Sequence, residues 1–208
     1  MKIENVKPAD IEKRSFEIIT EILEETDVDV DPRYAHIIKR CIHTSADFDY
    51  ARTMFFSEGV EEKIASVIKS GGYIVTDTKM VLSGINKKRI EAYGGKVLCF
   101  IGDEDVAAAA KDRGLTRSYV SMEKAADLDR PAVFAIGNAP TALIAICELF
   151  EAGRLKPEAV VGAPVGFVNV VAAKKLLIDS GIPSIVPRGR KGGSNIAAAI
   201  INAVQYNM

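Results

Sequence analysis

Short, unbroken apolar runs spaced by helix-length segments constrain this chain more than any other feature. The runs are Met54–Phe56, Tyr73–Thr76, Val97–Ile101, Ala132–Ile136, Ala159–Gly162 and Ser184–Val186. A strand buried on one face alternates apolar with polar residues, whereas a run that is apolar throughout is covered on both faces. Helical periodicity falls between the runs, over Val60–Lys69, Lys87–Tyr93, Val106–Arg113, Thr141–Glu151 and Val170–Ser180, with a last helix at Ile196–Val204. The alternation predicts an α/β fold, a three-layer parallel sheet with helices on both faces. Residues 1–208 read as a single domain: no repeat, low-complexity tract or Pro/Gly linker divides them, and 48% hydrophobic residues suffice for one core.

Two helices precede the alternation. Pro8 and Asp10 stand before a segment in which Ile11, Ser15, Ile18, Ile19 and Ile22 share a face. Asp31-Pro32 reads as the cap and first position of a second helix running toward His43.

Charge excludes some partners. A formal net charge of −1 gives no global field toward nucleic acid or a membrane surface, so an anionic ligand must be held by local cations. Cys41, Cys99 and Cys147 show no metal-binding or redox spacing and read as buried free thiols of a reducing cytoplasm. The opening MKIENVKPAD has no apolar stretch of a targeting signal, and no apolar run approaches membrane-span length. Two histidines seven residues apart, without HExxH or clustered cysteines, give no metal site.

In a parallel sheet, ligands bind outside the carboxyl ends of the strands. The segments there are Thr76–Thr78, Gly137–Pro140, Gly162–Phe167 and Pro187–Asn195. The last combines Arg188, Arg190 and Lys191 with Gly189, Gly192 and Gly193, ahead of a helix for which Ser194 or Asn195 is the expected cap. Glycines let backbone amides approach a ligand, a helix N-terminus favours an anion, and arginine grips carboxylates in a bidentate way. Neither GxxxxGK[ST] nor GxGxxG is present, which disfavours a nucleotide binder.

In the second helix Tyr34, Ile38, Cys41 and Ile42 form an apolar face, with His36, Arg40 and His43 on the other side. A histidine there is either simply solvated or an acid/base group, and Arg40 one turn earlier suits an anion. Asp47 and Asp49 read as surface caps. Ser15 is polar within an apolar stripe; it either bonds back to its own helix or lines a ligand cavity. Arg117, between two helical segments, is by default a surface residue, with a further carboxylate contact as the alternative.

These residues carry a resemblance. EKRSFEII (Glu12–Ile19), IKRCIHTSADFDY (Ile38–Tyr50), TDTKMVLSGI (Thr76–Ile85), TRS (Thr116–Ser118), AIGNAPTAL (Ala135–Leu143), APVGFVN (Ala163–Asn169) and GRKGGSN (Gly189–Asn195) are similar, in order and nearly end to end, to the precorrin-8X methylmutases. The resemblance implies a flavodoxin-like fold and an isomerase of cobalamin (corrin) biosynthesis, an intramolecular transferase. Its reaction moves a methyl group from ring carbon 11 to ring carbon 12 of precorrin-8X or cobalt-precorrin-8, giving hydrogenobyrinate or cobyrinate. It further implies a homodimer that needs no cofactor, His43 as the acid/base residue, and Ser15, Arg40 and Arg117 as residues binding a tetrapyrrole through its carboxylate arms. A non-catalytic tetrapyrrole carrier would share these binding features without the chemistry.

Overall fold

A computed structural model of the chain describes residues 4–26 and 28–208. The first three residues, which open the segment read above for a targeting signal, lie outside that description. Six strands are present: β1 (Met54–Phe56), β2 (Tyr73–Thr76), β3 (Lys96–Leu98), β4 (Ala132–Ile136), β5 (Ala159–Gly162) and β6 (Ser184–Pro187). They form one sheet in the order β1-β6-β5-β4-β2-β3. The strands from β2 to β6 run parallel, as the apolar runs predict. Numbered among themselves they follow the order 2-1-3-4-5 of the flavodoxin-like fold, whose switch point lies here between β2 and β4.

The parallel sheet expected from the sequence is observed, with one antiparallel pair at its edge, β1 with β6. The cause is the route of the chain. After α1 (Ile11–Glu25), α2 (Ala35–Ser45) climbs to the carboxyl edge, and the short α3 (Tyr50–Thr53) leads directly into β1. With no crossover between them, the strand descends. The Arg188 amide donates to the Thr53 carbonyl at 2.9 Å, locking the pair at its top.

The remaining helices are α4 (Val60–Lys69), α5 (Lys79–Gly84), α6 (Lys87–Glu91), α7 (Glu104–Arg113), α8 (Arg117–Ala125), α9 (Pro140–Glu151), α10 (Val170–Asp179) and α11 (Ser194–Asn207). Side-chain alternation along the strands splits the core into two layers. Ile74, Val133, Ala135, Val161 and Ile185 meet α1, α2, α4 and α11 on one face. Tyr73, Val75, Phe134, Ile136, Val160 and Val186 meet α8, α9 and α10 on the other.

Several boundaries differ from the sequence reading. Asp31 does not cap α2: its side chain accepts the Arg33 amide at 3.0 Å and its carbonyl the Tyr34 amide at 3.0 Å, making a turn, and α2 starts at Ala35. The buried stripe of α1 is Ile19 and Leu23, while Ile11 is 53% exposed, so the stripe is rotated from the one expected. Ser194 and Asn195 lie inside α11, and Gly193 stands at its N-cap. Helices α3, α5 and α8 have no counterpart in the sequence reading.

Candidate functional site

The carboxyl edge of the sheet is organised around Asp77, directly after β2 and fully buried. One carboxylate oxygen accepts the Gly137 amide at 2.9 Å, and the other accepts those of Asn138 and Ala139 at 2.8 Å each. Three N–H donors converging on two oxygens is the geometry of an ionised carboxylate. Burial raises the Asp77 carboxyl above its ordinary value, and the three amides pull against that rise. The turn after β4 is thereby fixed and its amides are occupied. Gly137 is needed there because a Cβ would lie 2.6 Å from the Ser194 Cα at the start of α11. Thr78 and Ser194 complete the junction through their hydroxyls, 3.1 Å apart. Sequence reasoning pointed to the segment but gave Asp77 no role; a carboxylate following an all-apolar strand was its signal.

Three of the four expected site residues come together on one side of the sheet. His43 is exposed on the last turn of α2, where a helix C-terminus favours a cation. Its ring stacks on Phe16 of α1, with centroids 5.2 Å apart and planes inclined by 18°. The Arg40 guanidinium lies 4.7 Å from the same Phe16 ring and 5.3 Å from that of Tyr206, and it pairs with Glu12. Ser15, beside Phe16, donates its hydroxyl to the Ile11 carbonyl at 2.9 Å. The bland reading of Ser15 is therefore the observed one, although a hydroxyl that donates inward still offers lone pairs outward. Phe16 organises this face, and the sequence reading gives it no role beyond its place in the EKRSFEII string. His36 separates from His43: its ring nitrogen meets Glu61 at 2.8 Å on a different part of the surface.

Arg117 lies on the opposite side of the sheet. It is not between helices but is the first residue of α8, exposed, behind Thr116, whose side chain accepts the Tyr119 amide at 3.2 Å. The Thr116 hydroxyl also donates to that of Thr141 at 2.8 Å, which ties Arg117 to the start of α9 and so to the carboxyl edge. His43 and Arg117 thus flank one edge from its two faces.

The glycine-rich loop after β6 lies at that edge. A side chain on Gly192 would sit 2.7 Å from the Pro164 carbonyl oxygen and against that of Ala163, so the loop hugs the segment after β5. Its cations do different jobs. Lys191 is not free for a ligand: its ammonium pairs with Asp47 at 2.6 Å and Asp49 at 2.5 Å, holding the Asp47 carboxyl below its ordinary value. Asp47 and Asp49 are therefore a latch between the end of α2 and this loop rather than simple caps. Arg188 and Arg190 remain exposed, over Phe55 at 5.1 Å and Phe167 at 6.0 Å. Lys174 of α10 is buried and reaches beneath the loop.

Apolar side chains stand out at the same edge: Met80 is 72% exposed, Phe167 84% and Val168 79%. Among the described residues no group of three or more metal-ligating side chains occurs, and no helix is long and apolar enough to cross a membrane.

The class is that of flavodoxin-like α/β proteins, here with arginines, an exposed histidine and exposed apolar side chains gathered at the carboxyl edge of the sheet. The chain belongs to the precorrin-8X methylmutase family, whose model matches residues 10–207. It is 42% identical over 206 residues to the cobalt-precorrin-8 methylmutase of Salmonella typhimurium, covering 97% of this chain and 96% of that protein. It is 43% identical over 199 residues to the enzyme of the same name from Priestia megaterium, covering 96% and 88%. The crystal structure of a precorrin-8X methylmutase from Thermus thermophilus superposes with a TM-score of 0.86 at 34% identity, covering 95% of each chain.

Proposed function

We propose that this chain is an intramolecular transferase of corrin biosynthesis that converts cobalt-precorrin-8 to cobyrinate by moving a methyl group from ring carbon 11 to ring carbon 12, the whole of residues 1–208 acting as one domain. The observation that carries the reading is the meeting of His43 and Arg40 on the Phe16 ring, beside Ser15. Both relatives are named for the cobalt form of the substrate, which favours it over metal-free precorrin-8X. The cobalt belongs to the substrate and not to the protein.

The chemistry asks little of the protein beyond a proton and a posture. The methyl group leaves one ring carbon and bonds to its neighbour, so no atom is gained or lost. A proton lent to the conjugated ring makes it electron-poor, eases the shift, and returns afterwards. His43 lends it. A positioned general acid is typically worth about 10² to 10⁴ in rate. Arg117, Arg188 and Arg190 neutralise carboxylate arms, Arg40 joins them by exchanging its exposed Glu12 partner for one, and Ser15 offers a hydroxyl oxygen at the rim. Holding the macrocycle in one conformation supplies much of the remaining acceleration, since the rearrangement is intramolecular.

The enzyme acts as a homodimer; sedimentation at micromolar concentration should give twice the 22.5 kDa chain mass. A cytoplasmic location suits its free cysteines, two of them buried. The occupied turn amides at Asp77 weigh against a nucleotide, whose phosphate would meet a carboxylate at the switch point. The test is anaerobic incubation with cobalt-precorrin-8 and, separately, precorrin-8X, following the visible spectrum. Conversion of the cobalt form at the higher rate is expected. Tight binding of both with no spectral change would make the protein a carrier.

A further inference from the structure

Lys174 is 1% exposed, yet among the described residues it has no carboxylate partner. Its ammonium donates to the Gly189 carbonyl at 3.0 Å and the Lys191 carbonyl at 2.7 Å. A methionine would fill the same space without the desolvation of a charge, so the fold alone does not call for a lysine. What the ammonium gains is the loop. Two carbonyls of one glycine-rich turn, with Gly189 at φ +79° and Gly193 at φ +134°, are drawn down onto a single donor group. The turn is then fixed from several directions, one of them the Gly166 amide, which donates to the Arg190 carbonyl at 3.2 Å. Lys174 holds it from below, Asp47 and Asp49 hold it from the side through Lys191, and the Gly193 amide donates to the Ala163 carbonyl at 2.8 Å. Only Arg188 and Arg190 are left pointing outward.

We propose that Lys174 is a positioning residue: by gathering the Gly189 and Lys191 carbonyls it seats the loop so that Arg188 and Arg190 meet the substrate's carboxylate arms, and its unpaired positive charge strengthens the anion site above it. The inference rests on the tetrapyrrole reading of that site. Among the described residues no carboxylate acts on the ammonium, and burial is the influence it feels. Helix α9, packed against α10, carries Cys147, Glu148 and Glu151; Cys147 is buried, and Glu148 is taken by the Tyr119 hydroxyl at 2.5 Å. Strand β6 carries no titratable group, Lys175 of α10 pairs with Asp179 at 2.5 Å, and the loop adds only the cations Arg188, Arg190 and Lys191. Burial alone moves the Lys174 ammonium, down to about 8, so the clamp loosens in mildly alkaline solution.

The test compares the full-length protein with Lys174→Met, using Lys175→Met as the exposed control. Steady-state turnover of cobalt-precorrin-8 at pH 7 should show KM raised about tenfold in Lys174→Met with kcat within about threefold, the signature of lost ground-state binding. The wild-type KM should climb above about pH 8 while that of Lys174→Met stays level. Amide exchange of residues 188–193 gives a readout independent of activity: protection should fall in Lys174→Met at pH 7, and in the wild type beyond the intrinsic base-catalysed rise as pH passes 8. A loop equally protected in both proteins, or a wild-type loop indifferent to pH, overturns the role of Lys174, and the wild-type pH series decides even if the variant does not fold. If the wild type converts no substrate but its exchange behaves as expected, the assigned activity fails and the clamp stands.

Discussion

His43 sits where imidazole chemistry is least hindered, exposed on the final turn of α2 and backed by an aromatic ring instead of a carboxylate. His43→Ala should leave cobyrinate binding within about threefold and lower kcat by about 10² to 10⁴, measured by equilibrium titration and spectral turnover. Loss of binding without loss of rate per bound complex would make the residue a contact and not an acid. At this scale the sequence was legible where chemistry is intrinsic to a side chain. A histidine and an arginine opposite an apolar stripe announce a polar face. It was silent where a role arises only on folding, because nothing local to Asp77 says that the amides of residues 137–139 will arrive at its oxygens. Gly137 belongs to the same junction: Gly137→Ala should lower stability by about 1–3 kcal/mol in urea denaturation, since its Cβ would press against the Ser194 backbone.

Among the elements, strands and long helices were readable because burial on both faces and a 3.6-residue period leave strong patterns. The misses share a cause. Helix α8, Arg117–Ala125, packs against α7 on one flank and α9 on another, so Val120, Met122 and Ala125 do not make a single stripe. Its start was nonetheless written in Thr116, whose side chain caps Tyr119. Thr116→Ala should cost about 1 kcal/mol in urea denaturation, and because Arg117 is the first helical residue it should also raise KM for the tetrapyrrole. A stability loss with unchanged KM would place Arg117 outside the binding face. The antiparallel β1 was unreadable for another reason: three apolar residues carry no direction, and only the path of α2 and α3 sets it.

For the whole molecule, a sheet covered by helices follows from the alternation of apolar runs, and with it the carboxyl edge as the place for a candidate site, while the grouping of residues around that edge does not. The buried Lys174 gives this scale its own test, because a charge kept in the core must appear in the pH dependence of global stability. Its value in the unfolded chain is the ordinary 10.5, and in the folded protein burial lowers it to about 8. Between those values the unfolded chain holds the proton more often than the folded protein does. Stability must therefore rise with pH across that window, and the penalty for the buried ammonium is present in full below about 8. Measured against Lys174→Met, which cancels the other titrating groups, the wild type should gain about 2 kcal/mol in chemical denaturation between pH 7 and pH 9.5. Over the same interval its glycine-rich loop should become less protected. A molecule that grows more stable as its ligand loop loosens has placed that lysine for the site, at some expense to the fold. A stability difference that does not change with pH would mean that the ammonium is no costlier inside than out.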